Sequence, residues 1–169
     1  MRQNRHLEPN AVYHVTARIN RGEFVFLDAA MRILFLEYIK RLKTKHSFAI
    51  YNFCIMGNHI HIVIRPDKGS SLSKIMQWLL GNYAKGWNKA HGVTGHLWGD
   101  RFYSKIADVG RESFLRLFRY VGENPVEAGM VRRAEDWDSN GVCHYKNGEL
   151  GILDIPPWIR GIYEALYGR

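Results

Sequence analysis

The stretch Gly57-Asn58-His59-Ile60-His61-Ile62-Val63-Ile64 constrains this chain more than any other. From His59 onward every residue is either β-branched or an imidazole, which is the composition of a buried strand, and period-2 alternation puts His59 and His61 on one face. Two imidazoles at that spacing can share a metal ion such as Mn, Zn, Fe, Ni or Cu while leaving coordination positions for substrate and water. Two hydrogen-bonded core histidines give the same pattern, so the motif needs support from elsewhere in the chain.

That support starts with charge. The formal charge of +8 on 169 residues favours a polyanionic partner, with nucleic acid the leading candidate and a merely solvated basic surface the alternative. The length suits one domain, residues 1–169, whose 46% apolar content can build a core without disulfides or a structural metal. Cys54 and Cys143 form no C-x-x-C, which argues against a zinc ribbon and for a reducing, cytoplasmic setting. No apolar run approaches the ~18 residues of a membrane span, and the N-terminus lacks the apolar region of a signal peptide.

In chain order, residues 12–19 read as a first strand with His14, Thr16 and Arg18 on a common face. Asp28 can cap a helix to about Lys45 whose core stripe is Met31, Leu34, Phe35, Tyr38 and Leu42. A strand from Phe48 to Ile55 should pair with the histidine strand through the short turn Met56-Gly57-Asn58. Ser70 or Ser71 can cap a helix to about Ala90, with Leu72, Ile75, Leu79 and Tyr83 buried. The alternating segment Arg101 to Ile106 reads as a further strand. Gly110 to about Asn124 should be the last long helix, with Phe114, Leu117, Phe118 and Val121 inward and Arg116, Tyr120 and Asn124 on a second stripe; Pro125 should end or kink it. Beyond Trp137 the pattern is irregular until a short amphipathic helix within Pro156 to Tyr167. The order βα, ββ, α, β, α points to an α+β fold, best a ferredoxin-like antiparallel sheet with packed helices.

Four ordered motifs carry a family resemblance: Tyr13-His14-Val15-Thr16; Met56-Gly57-Asn58-His59-Ile60-His61; Gly95-His96-Leu97-Trp98 with Arg101-Phe102; and Arg119-Tyr120-Val121 followed by Asn124-Pro125-Val126-Glu127-Ala128-Gly129. Together they resemble the REP-associated tyrosine transposases, single-tyrosine HUH endonucleases of the IS200-like superfamily. The resemblance covers about residues 11–135 and leaves 136–169 as an extension. It weakens where the family often has Trp-Ser-Ser-Tyr and this chain reads Trp137-Asp138-Ser139-Asn140. It implies a ferredoxin-like fold and metal-dependent cleavage and joining of single-stranded DNA at hairpin-bearing sites through a 5′-phosphotyrosine. It also implies Tyr120 as nucleophile, with His59, His61 and Asn124 holding Mg or Mn. Arg18, Arg101, Lys105, Arg116 and Arg119 are the candidate DNA contacts, and monomer and homodimer are both open. A noncatalytic binder of structured single-stranded nucleic acid and a metal-dependent phosphodiesterase using water are the rival readings. Tyr83 and Tyr103 are the weaker rivals for nucleophile, and Asn124 before Pro125 also has the form of a helix N-cap.

Overall fold

The computed structural model describes residues 8–168 apart from Arg111. Its elements are β1 (Tyr13–Arg18), α1 (Ala29–Lys43), β2 (Phe48–Ile55), β3 (His59–Pro66), α2 (Leu72–His91), β4 (Tyr103–Ile106), α3 (Glu112–Glu127), α4 (Gly141–Lys146) and α5 (Pro157–Tyr167). The strands form one sheet in the order β2-β3-β1-β4, and every neighbouring pair is antiparallel. A βαββαβ order on such a sheet is the ferredoxin-like α+β arrangement expected from the element pattern.

Local chemistry explains the helix starts. Asp28 accepts from the Ala30 amide and Ser71 from the Lys74 amide, each relieving an orphan donor of the first turn. Gly92 closes α2 in the left-handed region at φ 62°, where a side chain would be strained. Leu72, Ile75, Leu79 and Tyr83 of α2 are all buried, as their spacing requires.

The face of α1 is rotated from the expected stripe. Arg32, Phe35, Ile39 and Leu42 are buried, whereas Met31, Leu34 and Tyr38 are only partly so. Arg32 tolerates burial because each of its three guanidinium nitrogens donates to a partner. It donates to the carbonyls of Phe26 (2.9 Å) and Leu27 (3.1 Å), to Ser139 Oγ (3.0 Å) and to Asp138 Oδ2 (3.1 Å), with Trp137 stacked 4.5 Å away. None of these partners is within reach on the helix itself, so helical periodicity gives no sign of them.

Three further expectations need correction. The fourth strand begins at Tyr103 rather than Arg101. The irregular region beyond Trp137 contains α4, six residues long and capped by Asn140 Oδ1 at 2.6 Å from the Val142 amide. Finally, α3 runs through Pro125 to Glu127 instead of ending near Asn124, so Asn124 is a helix-interior residue and not an N-cap. Proline in a helix costs roughly 3 kcal/mol through a lost bond and a clash. Tertiary contacts hold α3 against the sheet on either side of Val121, whose carbonyl loses its donor at Pro125: Pro125 and Gly122 are buried, and Asn52 Nδ2 and Asn140 Nδ2 donate to the α3 carbonyls of Phe118 (3.0 Å) and Gly122 (2.8 Å).

The C-terminal residues pack on the β2 edge. Tyr163 of α5 is fully buried, donates to Tyr51 O at 2.9 Å and stacks on Tyr145 of α4 at 4.3 Å.

Candidate active site

The sheet register assembles the site. Arg18 lies opposite His59, Thr16 opposite both His61 and Tyr103, and His14 opposite Lys105. Directly paired residues point to the same side of a sheet. His14, Thr16, Arg18, His59, His61 and Tyr103 therefore share one face, and α3 crosses that face with Tyr120 directed at it. The Tyr120 ring stands edge-on to His61 at 5.5 Å and to His14 at 6.2 Å. These six sheet residues and Tyr120 line a cavity of about 590 Å³, joined by Arg21, Asp100 and Arg101.

Each histidine has a defined environment. His59 Nδ1 lies 2.8 Å from Asn58 Oδ1, and Asn58 Nδ2 donates to Gly22 O at 3.2 Å, which fixes the amide so that oxygen faces the ring. An amide oxygen only accepts, so His59 carries its proton on Nδ1 and keeps Nε2 bare. His61 Nδ1 lies 3.0 Å from His14 Nε2, and its own Nε2 is buried without a partner. Burial, reinforced by His14, His59 and Arg18, lowers the His61 pKa to about 3. Burial and then Lys105 lower His14 to about 4, and burial and then Arg18 lower His59. Desolvation disfavours the charged form, so all three are neutral imidazoles near pH 7, the state in which a lone pair is available to a metal.

The donor set therefore fits a divalent cation, on the strength of one buried unpartnered Nε2 beside a second bare one. Among the described residues no third His, Cys, Asp or Glu stands in ligating position with them. Asn124 follows Tyr120 by one turn on the same helix but does not line the cavity; its Nδ2 makes a long 3.5 Å contact to Tyr120 O.

The other expected residues divide between the cavity and the outer surface. Arg18 and Arg101 line the cavity, and Lys105 is exposed on β4 beside His14. Arg116 is exposed away from the cavity and paired with Glu112 at 3.1 Å, and Arg119 is also exposed outside it. Of the rival tyrosines, Tyr83 is buried in the core and donates to Met31 O, while Tyr103 lines the cavity and is 62% exposed. Trp98 packs against Phe26, Phe35 and Tyr83, with its Nε1 donating to Leu80 O.

Sequence reasoning missed three residues. His14 was legible as a face-mate of Thr16, but only the register brings it to His61. Asn58 was legible as a turn residue. Arg21 lines the cavity with φ 54°, an uncommon conformation for a residue bearing Cβ, which no sequence signal announces.

No curated protein matches the sequence. Among solved structures, the chain is similar to a REP-associated tyrosine transposase bound to a REP hairpin, with TM-score 0.71 and 18% identity over 92% of this chain and 89% of that one. It is also similar to a Deinococcus radiodurans protein described as a transposase, with TM-score 0.50 and 16% identity over 73% of this chain and 97% of that one. Identities this low speak to the fold. The sequence model of the family described as "Transposase IS200 like" matches residues 8–124, a span that includes β1, the His-x-His strand and Tyr120. This chain belongs to the IS200-like transposase family.

Proposed function

We propose that the protein is a metal-dependent single-stranded DNA endonuclease and strand transferase that acts at hairpin-bearing sites through a 5′-phosphotyrosine on Tyr120. The observation that carries this reading is the ring of Tyr120, 44% exposed, standing 5.5 Å from the ring of the buried His61 in one cavity. A nucleophile has to be reachable by substrate and close to whatever activates the phosphate; Tyr120 meets both conditions. Tyr103 is reachable but makes no ring contact with a histidine among the described residues.

A phenol is almost wholly protonated at neutral pH and is a weak nucleophile, so the site must supply charge at phosphorus. His59 and His61 would hold Mg²⁺ or Mn²⁺, with Asn124 a third ligand if its amide leaves Tyr120 O. Such an ion, when bound, polarises a phosphate oxygen and holds the scissile group in line. Arg18, Arg21 and Arg101 would bind the flanking phosphates from the cavity wall, Lys105 from the neighbouring strand, and Arg116 and Arg119 along the outer face of α3. Tyr120 Oη forms a bond to phosphorus while the bond from phosphorus to the 3′-oxygen breaks. The phenolic proton passes to solvent, and the departing 3′-oxygen takes up a proton as a hydroxyl. The phosphodiester energy stays in the tyrosyl ester, so a 3′-hydroxyl of another strand can reverse the step without a nucleotide cofactor. Hairpin DNA is the proposed ligand because the structural relative is bound to a REP hairpin and the chain carries a formal charge of +8.

The test is incubation with hairpin-bearing single-stranded DNA and Mn²⁺, followed by a denaturing gel for a covalent adduct. Tyr120→Phe should abolish adduct and cleavage with DNA affinity within a few-fold of wild type, and Tyr103→Phe should retain both activities. Cleavage that survives in Tyr120→Phe without an adduct would favour water as the nucleophile, and a surviving adduct would move the role to Tyr103. Binding without cleavage in the wild type would establish a noncatalytic module.

A further inference from the structure

We propose that His14 is a positioning residue, which accepts a hydrogen bond from the Nδ1–H of His61 and so fixes that imidazole in the tautomer with a bare Nε2. The two rings lie nearly coplanar, 12° apart in orientation, with His14 Nε2 at 3.0 Å from His61 Nδ1. Only one proton fits between two neutral imidazole nitrogens. Were it on His14 Nε2, His61 would carry its own proton on Nε2, a buried donor with no partner. With the proton on His61 Nδ1, Nε2 is instead a lone pair, the form a cation requires.

The arrangement repeats what Asn58 does for His59. In both imidazoles Nδ1 is tied to an acceptor, Asn58 Oδ1 at 2.8 Å in one and His14 Nε2 at 3.0 Å in the other, leaving two Nε2 atoms as ligands. Metal-binding histidines characteristically have the second ring nitrogen held this way, although usually by a carboxylate or a carbonyl. His14 is well placed to be rigid: β1 is an inner strand, laddered to β3 on one side and β4 on the other, and His14 lies two residues from Thr16, the partner of His61.

The inference rests on the metal reading above, so the experiment separates the two. Long-range ¹⁵N–¹H spectra of the metal-free protein report which His61 nitrogen carries the proton, and calorimetry with Mn²⁺ alone reports affinity. The wild type should show His61 protonated on Nδ1. His14→Phe, which keeps a ring but no acceptor, should lose that single tautomer and weaken Mn²⁺ binding about 10- to 100-fold. His14→Gln, whose amide oxygen can accept the same bond, should recover the tautomer and most of the affinity. His61 protonated on Nε2 in the wild type, or Mn²⁺ affinity unchanged in His14→Phe, overturns the role of His14. A wild type that ignores Mn²⁺ while showing the expected tautomers overturns the metal reading and leaves the tautomer lock supported. Should His14→Phe fail to fold, the wild-type spectrum and the His14→Gln variant still decide.

Discussion

Replacing Asn140 should loosen the helix that carries Tyr120 by an amount that can be worked out bond by bond. The side chain is fully buried. Its Nδ2 donates to Gly122 O at 2.8 Å and Ala134 O at 3.1 Å, and its Oδ1 caps α4 at the Val142 amide, 2.6 Å away. Loss of the cap costs about 1 kcal/mol. Each donated bond adds about 1 kcal/mol more, so Asn140→Ala should cost roughly 3 kcal/mol in all. For a chain of this size each kcal/mol moves Tm by about 2–4 °C, so calorimetry should find a drop of roughly 6–12 °C. Asn140→Asp separates the parts. It keeps the cap but turns a second oxygen toward two carbonyl oxygens, which raises the pKa of the new carboxyl in the fold. The sign follows from linkage: below the unfolded carboxyl range both states are protonated and no charge penalty exists, and the penalty grows as pH rises through that range. A protonated carboxyl donates once where the amide donates twice, so Asn140→Asp should lie about one lost bond, roughly 1 kcal/mol, below wild type near pH 4 and considerably further below it at pH 7. A loss under about 2 °C for Asn140→Ala, or equal Tm values for Asn140→Asp and wild type at pH 7, would refute the reasoning.

Gly122→Ala puts a methyl 2.9 Å from Val142 Cγ2 and against the Tyr167 hydroxyl, so the urea midpoint should fall by the equivalent of about 1–3 kcal/mol. The pKa values of His14 and His61, lowered to about 4 and about 3, predict acid sensitivity of the metal-free protein. Between the ordinary histidine range and those values the unfolded chain binds more protons than the fold. Stability is therefore full above about pH 6.5 and declines as pH falls toward 4, by at most about 1.4 kcal/mol per pH unit for each residue; urea midpoints at pH 7 and pH 5 check this, and equal midpoints would contradict it. Since Asn124 is helix-interior, Asn124→Ala should leave Tm unchanged or slightly raised, because alanine is the better helix former. If Asn124 ligates the ion, the same variant raises the Mn²⁺ concentration for half-maximal cleavage; an unchanged titration removes it from the site.

What could be read from the sequence followed from short-range rules. The His-x-His run, the Asp28 and Ser71 caps, the α2 stripe and the βαββαβ order all depend on periodicity or on residues within one turn of each other. What could not be read depended on distant partners. Arg32 is buried because Ser139 and Asp138, more than 100 positions later, receive its donors. His14 joins His61 only through the β1–β3 register, and a shift of one residue would turn it to the opposite face. The short α4 carries little periodic signal, and its cap Asn140 stands where the family pattern was already failing. Pro125 misled for a related reason: the local rule is sound, but amides from β2 and from the segment before α4 support the carbonyls around it.

Those same amides explain how the half-exposed Tyr120, the proposed nucleophile, can be held in place. Phe118 and Gly122, whose carbonyls accept from Asn52 and Asn140, flank Tyr120 by two residues on either side. The Tyr120 side chain makes edge contacts with two rings, which alone are too weak to fix a helix against a sheet. A slip of α3 by one residue would rotate Tyr120 by about 100° away from His61. It would also take both carbonyls away from the buried amides of Asn52 and Asn140, and a buried donor left without its acceptor costs about 1–3 kcal/mol. Apolar packing of Phe114, Phe118 and Val121 supplies adhesion but tolerates sliding, whereas directional bonds from two fully buried asparagines do not. Register is thus set on the inward side of α3 by residues outside the cavity. The Tyr120 ring stays 44% exposed, as the proposed attack on a phosphate requires, while its backbone is held over the histidine strand.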